Sequence, residues 1–245
     1  MAGMTQLLRL YVLDFGRFQV QQNGRIIGIQ GFLIQTQQGQ NILVDAGFPP
    51  KYALDVEKAS LGDDLGSFGR LIDFSASQLP AAQLSLLGLT LDDIDLLILS
   101  HSDIDHVGAL LEFAGRKIVL GAAEKALPKP RYFGDQCRPL EWPQGDYQLM
   151  FGDTELIPGL QVLLTPGHSP GHLSLLLDLP KTRKVLLTVD AISRPAELTE
   201  NLLKGEALFQ AVRLMQIAKD THAFVIYGHS PEQWETLKKA PEYYE

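Results

Sequence analysis

Residues 96–106 read LLILSHSDIDH and decide the fold of this chain. The apolar run at their start predicts a buried strand. Directly after it come four side chains that can bind a metal, His101, Asp103, Asp105 and His106. Loops at strand ends are where a rigid scaffold presents functional groups. An apolar strand that ends in so many ionisable residues therefore predicts a functional site rather than a solvated turn.

Three more apolar runs end in the same way. The run 162–164 leads into TPGHSPGH (165–172), which contains His168 and His172. The run 185–189 leads into Asp190, and the run 224–227 leads into Gly228-His229. Five of the six histidines of the chain lie in these clusters. Four strand ends that offer imidazole or carboxylate can converge on one point.

The side-chain chemistry of these clusters predicts a metal centre, since imidazole and carboxylate are ligands of Zn²⁺, Fe²⁺ and Mn²⁺. In an extended segment, side chains 101, 103 and 105 share one direction and His106 points the other way, so one loop can supply two ions. Asp190 has two oxygens and can bridge them. The candidate ligands are too many for one tetrahedral ion and suit a pair: His101, Asp103, Asp105, His106, His168, Asp190 and His229. We expect His172 to orient ligands rather than to bind.

Composition restricts the class of protein. The chain has 245 residues, of which 45% are hydrophobic and 20% charged, which is typical of a globular protein and predicts one domain over residues 1–245. Its net charge of −8 argues against nucleic acid or an anionic membrane as partner. Cys137 is the single cysteine, so no disulfide can form within the chain. With no apolar run of about 18 residues and no signal peptide, we expect a cytoplasmic protein with a small-molecule substrate.

The order of predicted elements indicates the architecture. The N-terminal quarter predicts short antiparallel strands, and residues 49–78 predict mostly loop. Strand-like and helical runs then alternate, with a helix over 107–113 and one strand over 148–157. This order favours two sheets packed face to face with helices outside, a four-layer α/β arrangement.

On these residues the chain resembles the metallo-β-lactamase superfamily. The similarity rests on Val44-Asp45-Ala46-Gly47, the 100–106 motif, TPGHSPGH, Asp190 and Gly228-His229. It implies a four-layer αβ/βα sandwich with a one- or two-metal site between the sheets. Within the superfamily, TPGHSPGH, residues 187–191 (LTVDA) and Pro241-Glu242-Tyr243 are most similar to the N-acyl-homoserine-lactone lactonase branch.

The resemblance implies a role for each candidate. His101, Asp103, His168 and Asp190 would face the first metal, and Asp105, His106, Asp190 and His229 the second. It implies a binuclear hydrolase in which a metal-bound hydroxide opens an acyl-homoserine lactone or a related cyclic ester, a quorum-quenching activity. Asp105 would orient the nucleophile and pass its proton to the leaving alkoxide. The family implies zinc.

Two positions depart from the family pattern. Asp103 stands where the usual H-x-H-x-D-H motif has its second histidine, and an added carboxylate favours Mn²⁺ or Fe²⁺ and a less acidic bound water. Alternatively, Asp103 does not bind and the first site is weak or empty. Ser193 stands where homoserine-lactone lactonases commonly carry a tyrosine, for which Tyr132 and Tyr227 are candidate substitutes. Thioester hydrolysis of the glyoxalase II type, phosphodiester hydrolysis, di-iron redox chemistry and a non-catalytic role therefore stay open.

Overall fold

Two β-sheets lie at the centre of the molecule. The computed structural model describes residues 6–132 and 141–245, and Cys137 lies outside the described residues. The strands of the first sheet are β1 (Leu7–Val20), β2 (Ile26–Thr36), β3 (Asn41–Val44), β4 (Gly69–Ile72), β5 (Leu96–Ile98), β6 (Lys117–Gly121) and β7 (Asp146–Met150). They lie in the order β4-β1-β2-β3-β5-β6-β7. The first four pair antiparallel, and β3, β5, β6 and β7 pair parallel.

The second sheet is built from the C-terminal half of the chain. Its strands are β8 (Thr154–Ile157), β9 (Leu160–Leu164), β10 (Leu173–Leu179), β11 (Arg183–Val189) and β12 (Phe224–Tyr227). They lie in the order β12-β11-β10-β9-β8. Only β11 and β12 pair parallel in this sheet, while its other described pairs are antiparallel.

Helices cover the sheets and connect the strands. Those described are α1 (Lys51–Leu54), α2 (Val56–Asp63), α3 (Pro80–Ser85), α4 (Ile104–Val107), α5 (Ala122–Lys125), α6 (Ala196–Thr199), α7 (Gly205–Thr221) and α8 (Pro231–Thr236). Short 3₁₀ turns add Leu65–Ser67, Ala76–Gln78, Leu91–Asp93, Leu110–Phe113 and Asp190–Ile192. Within 6–132 and 141–245, none of the helices combines the length and the apolar character that crossing a bilayer requires.

The central strands of each sheet are buried on both faces. Successive residues of a strand point to opposite faces. Accordingly, Leu175 and Leu177 of β10 pack between the two sheets, whereas Leu176 packs outward with Leu214 of α7. A third apolar cluster packs the N-terminal helices, including Tyr52 of α1, against the outer face of the first sheet. The layers therefore run helix, sheet, sheet, helix, which confirms the predicted four-layer αβ/βα sandwich.

Residues 49–78 differ from the predicted loop, because they contain α1, α2 and β4. Asp55 begins α2 by accepting a hydrogen bond from the backbone N–H of Lys58. That helix buries only Ala59 and Asp63, so its apolar period is too weak to be recognised from sequence. Strand β4 lies at the edge of the first sheet, where it pairs with β1.

Residues 148–157 also differ, since the single predicted strand is two strands in different sheets. β7 pairs with β6 of the first sheet, and β8 pairs with β9 of the second. A bend at residues 151–153 separates them. The predicted helix over 107–113 is likewise interrupted, because α4 ends at Val107 and the chain continues as a 3₁₀ turn over Leu110–Phe113.

Candidate metal centre

The polar segments that follow β5, β9, β11 and β12 meet in one place. All seven candidate ligands named from the sequence lie within this cluster, and their donor atoms form two adjacent groups. Each group combines imidazole nitrogens with carboxylate oxygens. The convergence predicted from the strand ends is therefore present in the fold.

The first group surrounds the Nε2 atoms of His101 and His168. Asp103 Oδ2 lies 3.0 Å from His168 Nε2 and 3.5 Å from His101 Nε2. Asp190 Oδ2 lies 3.5 Å from His168 Nε2 and 3.8 Å from His101 Nε2. Four donor atoms from three different loops thus face a common centre.

The second group surrounds the Nε2 atoms of His106 and His229. Asp105 Oδ2 lies 3.5 Å from the first and 3.6 Å from the second. Asp190 contributes its other oxygen, Oδ1, at 3.1 Å from His229 Nε2 and 3.8 Å from His106 Nε2. The two groups therefore share the Asp190 carboxylate, with one oxygen facing each.

A strained turn presents Asp190 to both groups. Val189 ends β11 with φ 47° and ψ −135°, a backbone conformation that a β-branched residue rarely adopts. The following backbone N–H, that of Asp190, donates to His172 Nε2 at 3.1 Å. Gly228 packs directly on this turn, because a Cβ there would lie 2.4 Å from the Val189 carbonyl oxygen.

The Nδ1 atoms of the three buried candidate histidines form hydrogen bonds behind the cluster. His106 Nδ1 bonds Asp45 Oδ2 at 2.8 Å, His229 Nδ1 donates to the Gly28 carbonyl oxygen at 2.9 Å, and His101 Nδ1 bonds Ser100 Oγ at 3.0 Å. Partners at Nδ1 fix the ring orientation and leave Nε2 facing the centre, as metal-binding histidines require.

Asp45 supports both the loop that carries His101 and the ring of His106. Its two carboxylate oxygens accept from the Ser100 backbone N–H at 2.7 Å and from Ser100 Oγ at 2.8 Å. The side chain is fully buried at the end of β3. One carboxylate thus connects β3, the residue before His101 and the ring of His106.

His172 lies behind the cluster rather than in it. Its Nε2 accepts from the Asp190 backbone N–H, so Nδ1 carries the proton and bonds Thr165 Oγ1 at 2.8 Å. Burial, together with the neighbouring His101, lowers its pKa well below the usual value. A neutral imidazole that positions Asp190 agrees with the orienting role expected for it.

The 101–106 segment reaches this arrangement differently from the expected extended alternation. Asp103 precedes α4 with extended backbone, and the chain becomes helical at Ile104. The helical turn therefore directs Asp105 and His106 toward the second group, while His101 and Asp103 face the first. The expected alternation was wrong for Asp105, which lies with His106 rather than with His101 and Asp103. The loop still supplies both groups, but the start of a helix divides it rather than the pleat of a strand.

Charge within the cluster is balanced between acids and imidazoles. Burial would raise the pKa of Asp190, but the neighbouring His229 and His106 hold it well below its usual range. Burial would lower the pKa of His229, but Asp190 and Asp105 raise it to about 9. The carboxylates are therefore ionised at neutral pH, and positive charge among them is stabilised.

The cluster fits divalent cations. Buried polar atoms normally have hydrogen-bond partners. Here His101 Nε2, His106 Nε2, Asp103 Oδ1 and Asp190 Oδ1 have none among the described residues. Ligands about 2.0–2.2 Å from a tetrahedral ion lie about 3.3–3.6 Å apart, which matches the donor separations of 3.0 to 3.8 Å.

Three supporting residues lie here that the sequence reasoning missed. Arg131 Nη1 donates to the His168 carbonyl oxygen at 2.6 Å. Buried Glu124 accepts from the backbone N–H groups of Ser102 and Gly171, each at 3.0 Å, and Gln30 Nε2 donates to the Gly228 carbonyl oxygen at 2.8 Å. No metal-binding spacing marks them in the sequence, since only the fold brings them to the cluster.

The two tyrosines considered as substitutes at Ser193 differ in burial. Tyr132 is buried, and its hydroxyl donates to Asp63 Oδ2 at 3.3 Å. Burial raises the pKa of the half-buried Tyr227 phenol. Ser193 itself accepts the His229 backbone N–H at 2.7 Å through its carbonyl oxygen. Ser193 therefore helps to hold the end of β12.

Comparisons with known proteins agree with this geometry. The N-acyl homoserine lactonase of Bacillus cereus is 31% identical over 86% of this chain and 85% of its own. The N-acyl homoserine lactonase AttM of Rhizobium radiobacter is 29% identical, over 97% of this chain and 98% of its own. A similar solved structure is that of a mutant of AiiA from Bacillus thuringiensis with N-decanoyl-L-homoserine bound at the active site. Its TM-score is 0.82 and its sequence identity 28%, and the match covers 98% of this chain and 100% of that one.

The family model described as metallo-beta-lactamase superfamily matches residues 28–230. That range includes every candidate ligand, the whole second sheet, and the first sheet except β1 and the start of β2. The predicted superfamily, its fold and the class of metal-dependent hydrolase are confirmed by these findings. The chain belongs to the metallo-beta-lactamase superfamily.

Proposed function

We propose that this chain is a lactonase that hydrolyses the ring ester of N-acyl homoserine lactones at a centre of two divalent cations. The observation that carries the proposal is the pair of adjacent donor groups joined by Asp190, whose two oxygens face one group each. The substrate class is supported by relatives named N-acyl homoserine lactonase that match over most of both chains.

The seven candidate ligands divide between the two cations. His101, Asp103 and His168 would hold the first, and Asp105, His106 and His229 the second, with Asp190 between them. Zinc is the metal we expect from the family, because mixed imidazole and carboxylate sets suit it. Manganese or iron are the alternatives that the third carboxylate favours.

Side-chain exposure gives the direction of substrate approach. His101, His106 and His229 are buried, whereas His168 keeps 32% and Asp105 17% of their side-chain surface accessible. The open side of the cluster is therefore the side of His168, Asp103 and Asp105. We infer that the lactone enters there, with its acyl chain directed away from the buried histidines.

Two bound divalent cations would supply an acidified water and a Lewis acid for the ring carbonyl. Asp105 would orient that water. Burial would raise the pKa of Asp105, but the neighbouring His106 and His229 lower it. The Asp105 carboxylate is therefore ionised and can accept a proton. As the water oxygen bonds the carbonyl carbon and the ring C–O bond breaks, Asp105 passes the proton to the leaving oxygen. The product is the open N-acyl homoserine.

The decisive experiment is a lactone panel on protein of known metal content. We expect about two zinc, manganese or iron atoms per chain by elemental analysis, and acid release from N-hexanoyl and N-decanoyl homoserine lactone in a pH-indicator assay. Asp105→Asn should lower kcat by at least about 100-fold. Asp92→Asn is the matched control, since Asp92 pairs with Arg116 at the surface.

Other outcomes separate the alternatives. Fully metal-loaded protein that turns over no lactone contradicts the proposal. Hydrolysis of S-lactoylglutathione or of bis-p-nitrophenyl phosphate instead would favour the thioester or phosphodiester function. Iron as the only metal, with consumption of oxygen or peroxide, would favour the redox function.

A further inference from the structure

We propose that the Arg131 guanidinium offsets the charge of the third carboxylate of the metal centre, and that Asp103 and Arg131 together replace the imidazole of the usual H-x-H-x-D-H motif. This inference rests on the metal centre of the proposed function. The pair would give the first cation an anionic oxygen ligand without changing the net charge around it.

The two oxygens of Asp103 face different partners. Oδ2 lies 3.0 Å from His168 Nε2 and 3.5 Å from His101 Nε2, within the first donor group. Oδ1 lies 3.6 Å from Arg131 Nε and is buried without a hydrogen-bond partner among the described residues. One oxygen is therefore available to a cation, and the other lies against the guanidinium.

Arg131 is held in this position from both ends. Its backbone N–H donates to Ser102 Oγ at 2.9 Å, and the next residue bonds the same loop, with the Tyr132 N–H donating to the Ser102 carbonyl at 2.8 Å. At the other end, Arg131 Nη1 donates to the carbonyl oxygen of His168 at 2.6 Å. The side chain thus connects two of the three loops that carry the first donor group, and only 18% of its surface is exposed.

The charges around the centre explain why such a neighbour is needed. Asp103, Asp105 and Asp190 are three carboxylates, and with the Arg131 guanidinium they carry a net charge of −2. An imidazole at position 103, with Asp105 and Asp190 and no arginine, would also leave −2. A guanidinium stays protonated at any working pH, so this offset is permanent. Arg131 therefore weakens the preference of the first cation site for Mn²⁺ or Fe²⁺ that is expected from Asp103 alone.

The proposal predicts opposite effects for the two single variants. Arg131→Met leaves the third carboxylate uncompensated, so the overall zinc affinity should rise by about tenfold or more. Asp103→His leaves the guanidinium against a neutral ligand, so zinc affinity should fall by about tenfold or more. The double variant restores the net charge, and its affinity should return to within about threefold of the wild type.

The measurement is a titration of metal-free protein with zinc, and separately with manganese, in competition with a chromophoric chelator. Arg131→Lys keeps the charge and should bind zinc like the wild type. Arg116→Met is the matched control, because it removes an arginine that pairs with Asp92 at the surface. Arg131→Gln replaces Arg131→Met if thermal unfolding shows that the methionine variant does not fold.

The outcomes distinguish this inference from the proposed function. An Arg131→Met protein that binds zinc with unchanged or weaker affinity assigns Arg131 a purely structural role and overturns the inference. A double variant that binds no more tightly than Asp103→His does the same. A wild type that binds neither zinc nor manganese overturns this inference, and one that binds no iron either overturns the proposed function as well. The absence of lactone turnover leaves the affinity order, and with it this inference, unaffected.

Discussion

Asp45 shows how one buried carboxylate can set the properties of a ligand that it only supports. Its two oxygens accept from Ser100 and from His106 Nδ1. An asparagine offers a single acceptor oxygen and turns an amide N–H₂ toward one of these donors. Asp45→Asn should therefore lower zinc affinity about 10- to 100-fold and the free energy of unfolding of the metal-free protein by about 1–3 kcal/mol.

Chelator competition and urea unfolding measure the two effects. Asp153→Asn is a matched control, since that carboxylate pairs with Arg213 at the surface and is half exposed. An Asp45→Asn protein with wild-type zinc affinity would show that His106 needs no orienting partner.

Glu124 joins two loops of the cluster without touching a candidate ligand. One oxygen accepts from the backbone and hydroxyl of Ser102, and the other accepts from the Gly171 N–H. In Glu124→Gln, an amide N–H₂ replaces one of these acceptors. We expect the free energy of unfolding to fall by about 1–3 kcal/mol, measured by urea unfolding. The exposed Glu112→Gln serves as the control, and equal stability of both variants would contradict the structural role.

At the scale of elements, the ends of β11 and β12 approach so closely that only glycine fits between them. A Cβ at Gly228 would lie 2.4 Å from the Val189 carbonyl oxygen and 2.8 Å from Asp190 Oδ1. Gly228→Ala should therefore displace the turn that presents Asp190, with a loss of about 1–3 kcal/mol in stability and about tenfold or more in zinc affinity. Thermal unfolding and zinc titration test this.

Gly62 provides the comparison, because a Cβ there meets no atom within 4 Å. It lies within α2, where alanine is favoured over glycine by up to about 1 kcal/mol. Gly62→Ala should therefore keep or increase stability and leave zinc affinity unchanged. Equal losses in the two alanine variants would show that the close approach at Gly228 has no special importance.

The sequence predicted these elements unequally, for physical reasons. Apolar runs such as residues 96–99 identify strands because burial on both faces needs continuous apolar residues. They do not tell which sheet a strand joins, so residues 148–157 were predicted as one strand although they contribute to two. Within residues 49–78, β4 forms by pairing with β1 and α2 begins at the Asp55 cap. The spacing of apolar residues along the sequence reveals neither.

The candidate site was more predictable than its support. His101 and the other candidates carry metal-binding chemistry wherever they lie, so residue type and position at strand ends identify them. Arg131 and Glu124 act through contacts between loops that are distant in sequence, and an arginine in a proline-rich segment has no distinguishing pattern. Asp45 was recognised as part of the Val44-Asp45-Ala46-Gly47 segment, and its contacts with Ser100 appear only in the fold.

At the scale of the whole molecule, folding concentrates negative charge at the point where the two sheets meet. The chain carries −8 overall, and three carboxylates lie in one cluster with four histidines. Without a cation, the imidazoles must supply the positive charge, which is why the pKa of His229 is raised to about 9 against the opposing effect of burial. Metal and protons should therefore compete for the same donor atoms.

This competition predicts a pH optimum for the stability of the metal-free protein. The folded pKa of His229 lies above its unfolded value of 6.5, so its stabilising contribution is complete below pH 6.5 and is lost as pH rises to about 9. The contribution of His172 to stability has the opposite pH dependence. Burial lowers its folded pKa, so this contribution is lost as pH falls below 6.5. Between pH 6.5 and 9 we expect the free energy of unfolding to fall by about 1–3 kcal/mol.

Urea unfolding of metal-free protein across this range measures the loss, and saturating zinc provides the contrast. A bound cation replaces the protons, so zinc should stabilise the chain more strongly as pH rises from 6.5 to 9 and cancel the decline. His229→Gln should flatten the profile of the metal-free protein, whereas His222→Gln, at an exposed helix end, should leave it unchanged. A metal-free protein whose stability rises over this range would show that protonated imidazoles do not balance the carboxylates of the cluster.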